Sequence, residues 1–229
     1  LKGTRRTLDA TFGKVELDNG LITKDGAYLL DDSNSFLLDE SGHFVPRDGG
    51  KDYYCFAYGN DYRQTIKAFL NISGSTPLVP RFALGVWWSR YHAYTDDEYL
   101  NLMDRFEKEN VPLTVATIDM DWHYVDLKKQ FGIKESGWTG YSWNKELFKD
   151  YKNFLANLQN KNLKVTLNLH PADGIRFFED MYEDTAKAVG IDPKSRKPVK
   201  FSCKSDDFWN AYFDKVHKPY EKDGIDFWW

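Results

Sequence analysis

From residue 83 onward, apolar runs of strand length alternate with stretches of helical period. "ALGVWWS" (83–89) is an unbroken apolar run. "TDDEYLNLMDRFEKEN" follows and opens on a capping box, in which Thr95 caps the helix and Glu98 reaches back. "LTVATIDMDWH" (113–123) is rich in β-branched residues and reads as a strand buried on both faces. "KELFKDYKNFLANLQ" (145–159) sets Leu147, Phe148, Tyr151, Phe154, Leu155 and Leu158 on one helical face. "LKVTLNLHP" (163–171) is a third strand. A helix is expected over about 175–189, closed by Gly190. Another runs from Ser205 to Gly224 with Phe208, Trp209, Tyr212, Phe213 and Val216 inward, and "IDFWW" begins a fourth strand.

Strands and helices in this order make a parallel sheet covered by helices. No strand is followed by G-x-G-x-x-G, which argues against a dinucleotide-binding fold. The alternative is a (β/α)₈ barrel, which takes about 250 residues. The four strands here make half of one, with open hydrophobic edges. Because the sequence stops on the bare aromatic run "GIDFWW", the pattern predicts a piece cut inside a barrel.

The first 78 residues follow another pattern. Short apolar or alternating runs are broken by "DNG", "KDGAYLLDDS", "DESG", "RDGG" and "AYGND", turn signals that predict antiparallel β structure. A helix is expected in "DYRQTIKAFLNIS", with Tyr62, Ile66, Phe69 and Leu70 as its stripe. "GSTPLVPR" (74–81) reads as a linker. The expected class is thus α/β plus β: residues 1–79 as the C-terminal part of an antiparallel β-sandwich with its linker, and 80–229 as the first half of a TIM barrel.

Composition narrows the function. The net charge of −4 and the lack of a basic patch argue against nucleic acid as a partner. No apolar run reaches the roughly 18 residues of a membrane span. Cys55 and Cys203, far apart and without metal-like spacing, read as two thiols of a reducing, cytoplasmic setting. Aromatic residues make up 17% of the chain, with eight Trp, a supply that suits sugar stacking or a large core equally.

In a barrel, function lies at the C-terminal strand ends. The first strand delivers Trp87, Trp88, Ser89, Arg90 and Tyr91 there; the second, Asp119, Met120, Asp121, Trp122 and His123; the third, His170 and Pro171; the fourth, Trp228 and Trp229. Carboxylates accept hydrogen bonds from sugar hydroxyls and indoles stack on sugar rings, so the set suits a carbohydrate pocket. The same tryptophans also suit core packing. Asp119, Asp121, His123 and His170 together also resemble a metal-ligand cluster.

At these residues the sequence resembles glycoside hydrolase family 31, the α-glucosidase, α-xylosidase and sulfoquinovosidase family. The stretches that carry the resemblance are "TPLVPRFALGVWWSRYHAYTDDEYLNLMDRF", "TIDMDWH" and "DGIDFWW", with "RTLDATFGKVELDNGLITKDGAYLLDDS" similar to the end of the family's N-terminal sandwich. The resemblance implies a retaining α-glycosidase that works without metal or organic cofactor. It implies Asp119 and Met120 as contacts of the sugar that reacts. The strand-end reading adds Asp121, Trp122, His170, Trp88 and Trp229 as substrate-binding residues. The nucleophile and general acid are implied beyond Trp229, so no catalytic residue is expected within this chain, which alone is expected to be inactive and to need the other half of the barrel. The implied substrate is an α-linked oligosaccharide or glycoside that loses a terminal hexose, glucose first. Two departures touch the pocket wall: His170 stands where many members have Asp, and "PVKFSCKSDDFW" replaces a Trp-Pro-Gly. A metal-dependent barrel hydrolase and a non-catalytic carbohydrate-binding protein are the alternatives.

Overall fold

Turn residues shape the first 78 residues of this computed structural model, which describes residues 2–4 and 11–229. Contacts divide the chain into two units, 1–78 and 79–229. In the first unit β1 (Lys2–Thr4) pairs with β2 (Asp18–Asn19), and β3 (Ala27–Asp31) pairs with β6 (Tyr53–Ala57) around a small hairpin of β4 (Leu37–Leu38) and β5 (Phe44–Val45). All three pairings are antiparallel. The Asp39 carboxylate closes the hairpin by accepting from the backbone N–H of Ser41 and His43. Arg47 ties the nested pairs together through Asp32 at 2.6 Å and Asp52 at 3.0 Å. Among the described residues these are separate two-stranded pairs. Residues 5–10 of the stretch similar to the family's sandwich lie outside the described residues.

Helix α1 (Tyr62–Ser73) starts where the Asp61 side chain accepts from the Gln64 N–H. It rests on β6 through Phe69 and Phe56, whose rings are 6.3 Å apart. Of the expected stripe, Phe69 and Leu70 are half-buried, whereas Tyr62 and Ile66 are exposed. A two-stranded sheet is too narrow to cover three helical turns.

The second unit carries one parallel sheet in the order β10–β9–β8–β7. Its strands are β7 (Val86–Trp88), β8 (Leu113–Ile118), β9 (Lys164–Leu167) and β10 (Phe227–Trp228). Between them lie α2 (Asp96–Lys108), α3 (Leu127–Phe131), α4 (Tyr151–Asn160), α5 (Tyr182–Ala188), α6 (Asp206–Tyr212) and α7 (Lys218–Asp223). The alternation of strands and helices follows the expectation, but the elements are shorter. A 3₁₀ turn, Arg81–Leu84, precedes β7, and a Cβ on Gly85 would come within 2.2 Å of Thr114 Oγ1, so only glycine lets β7 approach β8 there. Strand β8 stops at Ile118 because the Asp119 side chain accepts from its neighbour's N–H and starts a 3₁₀ turn, Met120–Trp122. The expected helix at 145–159 begins only at Tyr151, capped by Asp150; before it, Leu147 and Phe148 both donate to the Asn144 carbonyl. Ile175 pairs with Val199, which holds 175–181 out of the expected helix. Between α6 and α7, Phe213–His217 is a π-helical segment.

One face of the sheet carries Ala116, Ile118, Val165 and Leu167 and packs against Tyr99 and Met103 of α2, Phe154, Leu155 and Leu158 of α4, and Tyr220 of α7. The alternate residues, Thr117, Asp119, Thr166 and Asn168, lie on the inner face. The two edge strands touch across that inner face: the Trp87 ring lies 5.3 Å from both Phe227 and Trp229. Among the described residues, no helix is long and apolar enough to cross a membrane.

The capping box of α2 is fully formed, with Thr95 Oγ1 accepting from Glu98 N–H and the Glu98 carboxylate accepting from Thr95 N–H. Thr95→Ala is expected to lower the unfolding free energy by about 1 kcal/mol and Thr95→Ser to restore most of it. Chemical denaturation of the three proteins checks this.

Candidate active site

Asp119 is positioned from two strands. Its Oδ1 accepts from the Met120 N–H at 2.8 Å and from Asn168 Nδ2 at 2.5 Å, and Asn168 follows directly on β9. The strands are held in step there, since Asn168 N–H donates to the Ile118 carbonyl. Both bonds fall on Oδ1, which leaves Oδ2 for a ligand. The Asp119–Asn168 pair therefore presents one carboxylate oxygen at the C-terminal rim of the sheet.

Trp122 is not part of that surface. It is fully buried, and its Nε1 donates to the Asn168 carbonyl at 2.7 Å. Its expected role in substrate contact is corrected to bracing Asn168 from below; the 3₁₀ turn after Asp119 swings the indole into the core against Trp143 and Tyr220. Trp88 is corrected likewise. A register shift between Val86 and Trp87 changes the alternation along β7, so Trp88 packs on Phe106 of α2, and Trp87 faces inward instead. Trp229 lies on the inner face beside Trp87 and is exposed. Met120 and Asp121 are both buried. Burial, then the nearby Asp119 charge, raises the Asp121 pKa.

His170 is half-buried, and the ring of Trp138 lies on it at 4.4 Å. Trp138, 53% exposed, belongs to the loop 134–144, which gave no periodic signal in the sequence. This loop is clamped from beneath by one turn of chain after β9. Arg176 donates to the Ser136 carbonyl at 2.8 Å and also to the Thr139 carbonyl. Glu179 accepts from Tyr141 N–H at 3.2 Å and from the Ser142 hydroxyl at 2.6 Å, and that hydroxyl accepts from Asp180 N–H. The Tyr220 hydroxyl adds a bond to the Tyr141 carbonyl at 2.7 Å. His123 sits under the same loop, where a Cβ on Gly140 would come within 2.1 Å of its ring.

Both clamps are buried ionisable side chains. Desolvation raises Glu179 to about 7, although its hydrogen bonds from Ser142 and Tyr141 and the Arg176 charge pull the other way. Burial lowers His123 to about 4 and His217 to about 4. Among the described residues, no three His, Cys, Asp or Glu side chains converge as a metal-ligand set, so Asp119, Asp121, His123 and His170 do not form the cluster their spacing suggested. His123 is buried beneath the loop and is not a ligand facing the rim.

Residues 76–229 match the model of the glycosyl hydrolases family 31 TIM-barrel domain. The chain is 26% identical over 180 residues to an α-xylosidase of Saccharolobus solfataricus, covering 78% of this chain and 22% of that protein. It is 27% identical over 128 residues to α-glucosidase 2 of Bacillus thermoamyloliquefaciens, covering 56% of this chain and 15% of that protein. The chain thus spans less than a quarter of the length of these curated relatives. Among solved structures, the fold resembles a GH31 dextranase of Flavobacterium johnsoniae, solved with glucose, at a TM-score of 0.55 and 20% identity over 79% of this chain and 22% of that one. It also resembles a GH31 α-xylosidase from a soil metagenome, solved with xylose, at a TM-score of 0.56 and 15% identity over 78% of this chain and 26% of that one.

The buried titratable groups set opposing pH dependences. Between about pH 4 and 6.5 the unfolded state binds more protons at His123 and His217, so each makes stability rise with pH. Glu179 does the reverse: the folded state keeps a proton that the unfolded chain releases, so stability falls as pH rises from 4.5 to about 7. Glu179→Gln removes only the falling branch. Relative to wild type, the variant is expected to gain about 3 kcal/mol between pH 4.5 and 7, whatever constant penalty its amide carries. Unfolding free energies across that range check this, and a pH-independent difference would contradict it.

Proposed function

The chain belongs to glycoside hydrolase family 31, and from that premise we propose that it forms the opening half of the catalytic barrel of a retaining α-glycosidase, preceded by the end of a β-sandwich. The observation that carries the proposal is the Asp119–Asn168 pair at the C-terminal rim, with one carboxylate oxygen uncommitted. Such an oxygen accepts hydrogen bonds from hydroxyls of the sugar that reacts, and charge-assisted bonds of this kind contribute on the order of 1.5 to 3 kcal/mol. Retaining chemistry requires a pair of carboxylates besides Asp119, nucleophile and acid, about 5 to 5.5 Å apart. In this proposal they belong to later strands of the barrel, and Asp121, buried beside Asp119, is a structural neighbour and not a replacement. Trp229 and Trp87 form an apolar inner wall beside the rim, and His170 with Trp138 forms another.

The substrate proposed is a glycoside or oligosaccharide with a terminal α-linked hexose, glucose first. The α-xylosidase names among the relatives favour a second reading, a terminal α-linked pentose. Turnover of aryl α-glucoside against aryl α-xyloside by the full-length protein decides between them, and hydrolysis of no α-glycoside would remove both.

Asp119→Asn separates binding from structure. The variant keeps Oδ1 as acceptor for Met120 and Asn168 and changes only Oδ2, so folding is expected to change little. Contacts to the reacting ring tighten as it flattens in the transition state. We expect kcat/KM to fall by about ten- to a thousandfold, at about 1.4 kcal/mol per tenfold. A lowered melting temperature with normal kinetics per folded molecule would instead make Asp119 a loop support.

A further inference from the structure

A cavity of about 450 Å³ opens between the loop 134–144 and the chain that follows β9, lined by Glu135, Ser136, Asp173, Arg176, Phe177 and Arg196 together with Pro198. Its backbone is fixed on three sides. Arg176, 5% exposed, donates to the Ser136 carbonyl at 2.8 Å and holds the first wall. The Asp173 N–H donates to Thr139 Oγ1 at 3.1 Å, which joins the second wall to the first. A Cβ on Gly174 would come within 2.1 Å of the Val199 carbonyl oxygen, so only glycine lets the Asp173 turn close on the bridge between Ile175 and Val199. On the third side the Tyr182 hydroxyl donates to the Lys197 carbonyl at 2.7 Å, and the Arg196 N–H donates to the Pro193 carbonyl at 3.1 Å.

The lining holds two cations and two anions, and only half of them are matched. Arg176 pairs with Glu135 at 3.6 Å. Asp173 and Arg196 have no ion-pair partner among the described residues, and the Arg196 guanidinium rests 5.1 Å over the Phe177 ring with its donor fork uncommitted. Arg196 also stands in the left-handed region at a φ of 52°, a conformation that costs free energy for a non-glycine residue and clusters at ligand clamps. The buried Nε of Arg176 likewise has no partner. The open pair decides which ligand gains. A simple cation is drawn by Asp173 and repelled by Arg196, a simple anion meets the reverse, and a neutral molecule uses neither charge. A molecule that carries both signs satisfies both groups at once through charge-assisted bonds. The half-exposed Phe177 ring and Pro198 add an apolar face beside them.

We propose that this cavity binds a free α-amino acid with an apolar side chain. The Arg196 fork takes its carboxylate, Asp173 takes its ammonium group, and its side chain lies against Phe177 and Pro198. An α-amino acid bears both charges on neighbouring atoms of one small body, which suits a closed set of walls with one open cation and one open anion. Arg176 and Glu135 neutralise each other and hold the frame. The site goes beyond the α-glycosidase reading and does not depend on it.

Calorimetric titration of the full-length protein with L-leucine tests this. Isocaproate, the same skeleton without the ammonium group, and isoamylamine, the same skeleton without the carboxylate, are the controls. Leucine is expected to saturate a single site, and each control to bind at least about tenfold more weakly, since each loses one charge-assisted contact and meets one repulsion. Arg196→Asn, whose side chain tolerates the left-handed backbone, and Asp173→Asn are each expected to weaken leucine binding by about ten- to a hundredfold. Absent leucine binding, equal binding by either control, or unaltered affinity in either variant would overturn the proposal. Binding is read directly, so turnover of an α-glycoside or its absence bears only on the α-glycosidase reading.

Discussion

The register between β8 and β9 governs the site. Ala116 opposes Val165, Thr117 opposes Thr166 and Ile118 opposes Leu167, so the residues just past both strand ends, Asp119 and Asn168, emerge side by side. Parallel strands buried on one face by helices cannot slip by one residue without turning Ile118 and Leu167 out of the core. The apolar packing of α2 and α4 thereby fixes where a carboxylate oxygen stands at the rim. Trp122 adds to this from below, since its Nε1 bond to Asn168 is made inside the core, where an unpaired indole N–H is costly.

The loops above the sheet depend on a different kind of interaction. Residues 134–144 bury little apolar side chain of their own until Tyr141, and they are held by Arg176 and Glu179, both about 5% exposed. Ionised groups at that depth lose hydration, as the raised pKa of Glu179 records. What they gain is directional: each accepts or donates at two fixed points of the loop, so Trp138 and the cavity walls take one arrangement. A hydrophobic clamp of similar volume would hold the loop as firmly but with less control over its position.

The strand and helix order was legible because the two hydrophobic periods differ sharply, and the place of Asp119 at the end of a buried strand was legible from the apolar run before it, whereas its contact to a sugar was implied by the family resemblance alone. Strand ends were less legible. "TIDMDWH" continues the apolar run through Trp122, yet the strand stops at Ile118 because the Asp119 side chain captures the next N–H, a local bond that periodicity does not register. Trp87 and Trp88 exchanged roles through a register shift against β8, which depends on the partner strand and not on either residue. Asn168 left a signal, a lone amide inside "VTLNL", that points to a polar partner across the strand. Trp138, Arg176, Glu179 and Arg196 left none, since loops clamped by buried charges show no period.

This division has a consequence for how substrate choice and reaction class can vary. Residues at strand ends inherit their precision from the sheet, and moving Asp119 requires disturbing the core from Tyr99 to Tyr220. The walls at Trp138, His170, Asp173 and Arg196 inherit theirs from a few buried polar contacts in two loops, and the loop backbone tolerates replacement wherever those contacts persist. Under the proposed α-glycosidase reading, contacts to the reacting ring therefore belong on the strands, and selection among its partners belongs on the loops. The glycines mark the seam: Gly137 and Gly140 press against Val125 and His123 so closely that a Cβ would fall within 1.9 Å and 2.1 Å of them, which locks the loop to the strand-end turn at the point where the two regimes meet.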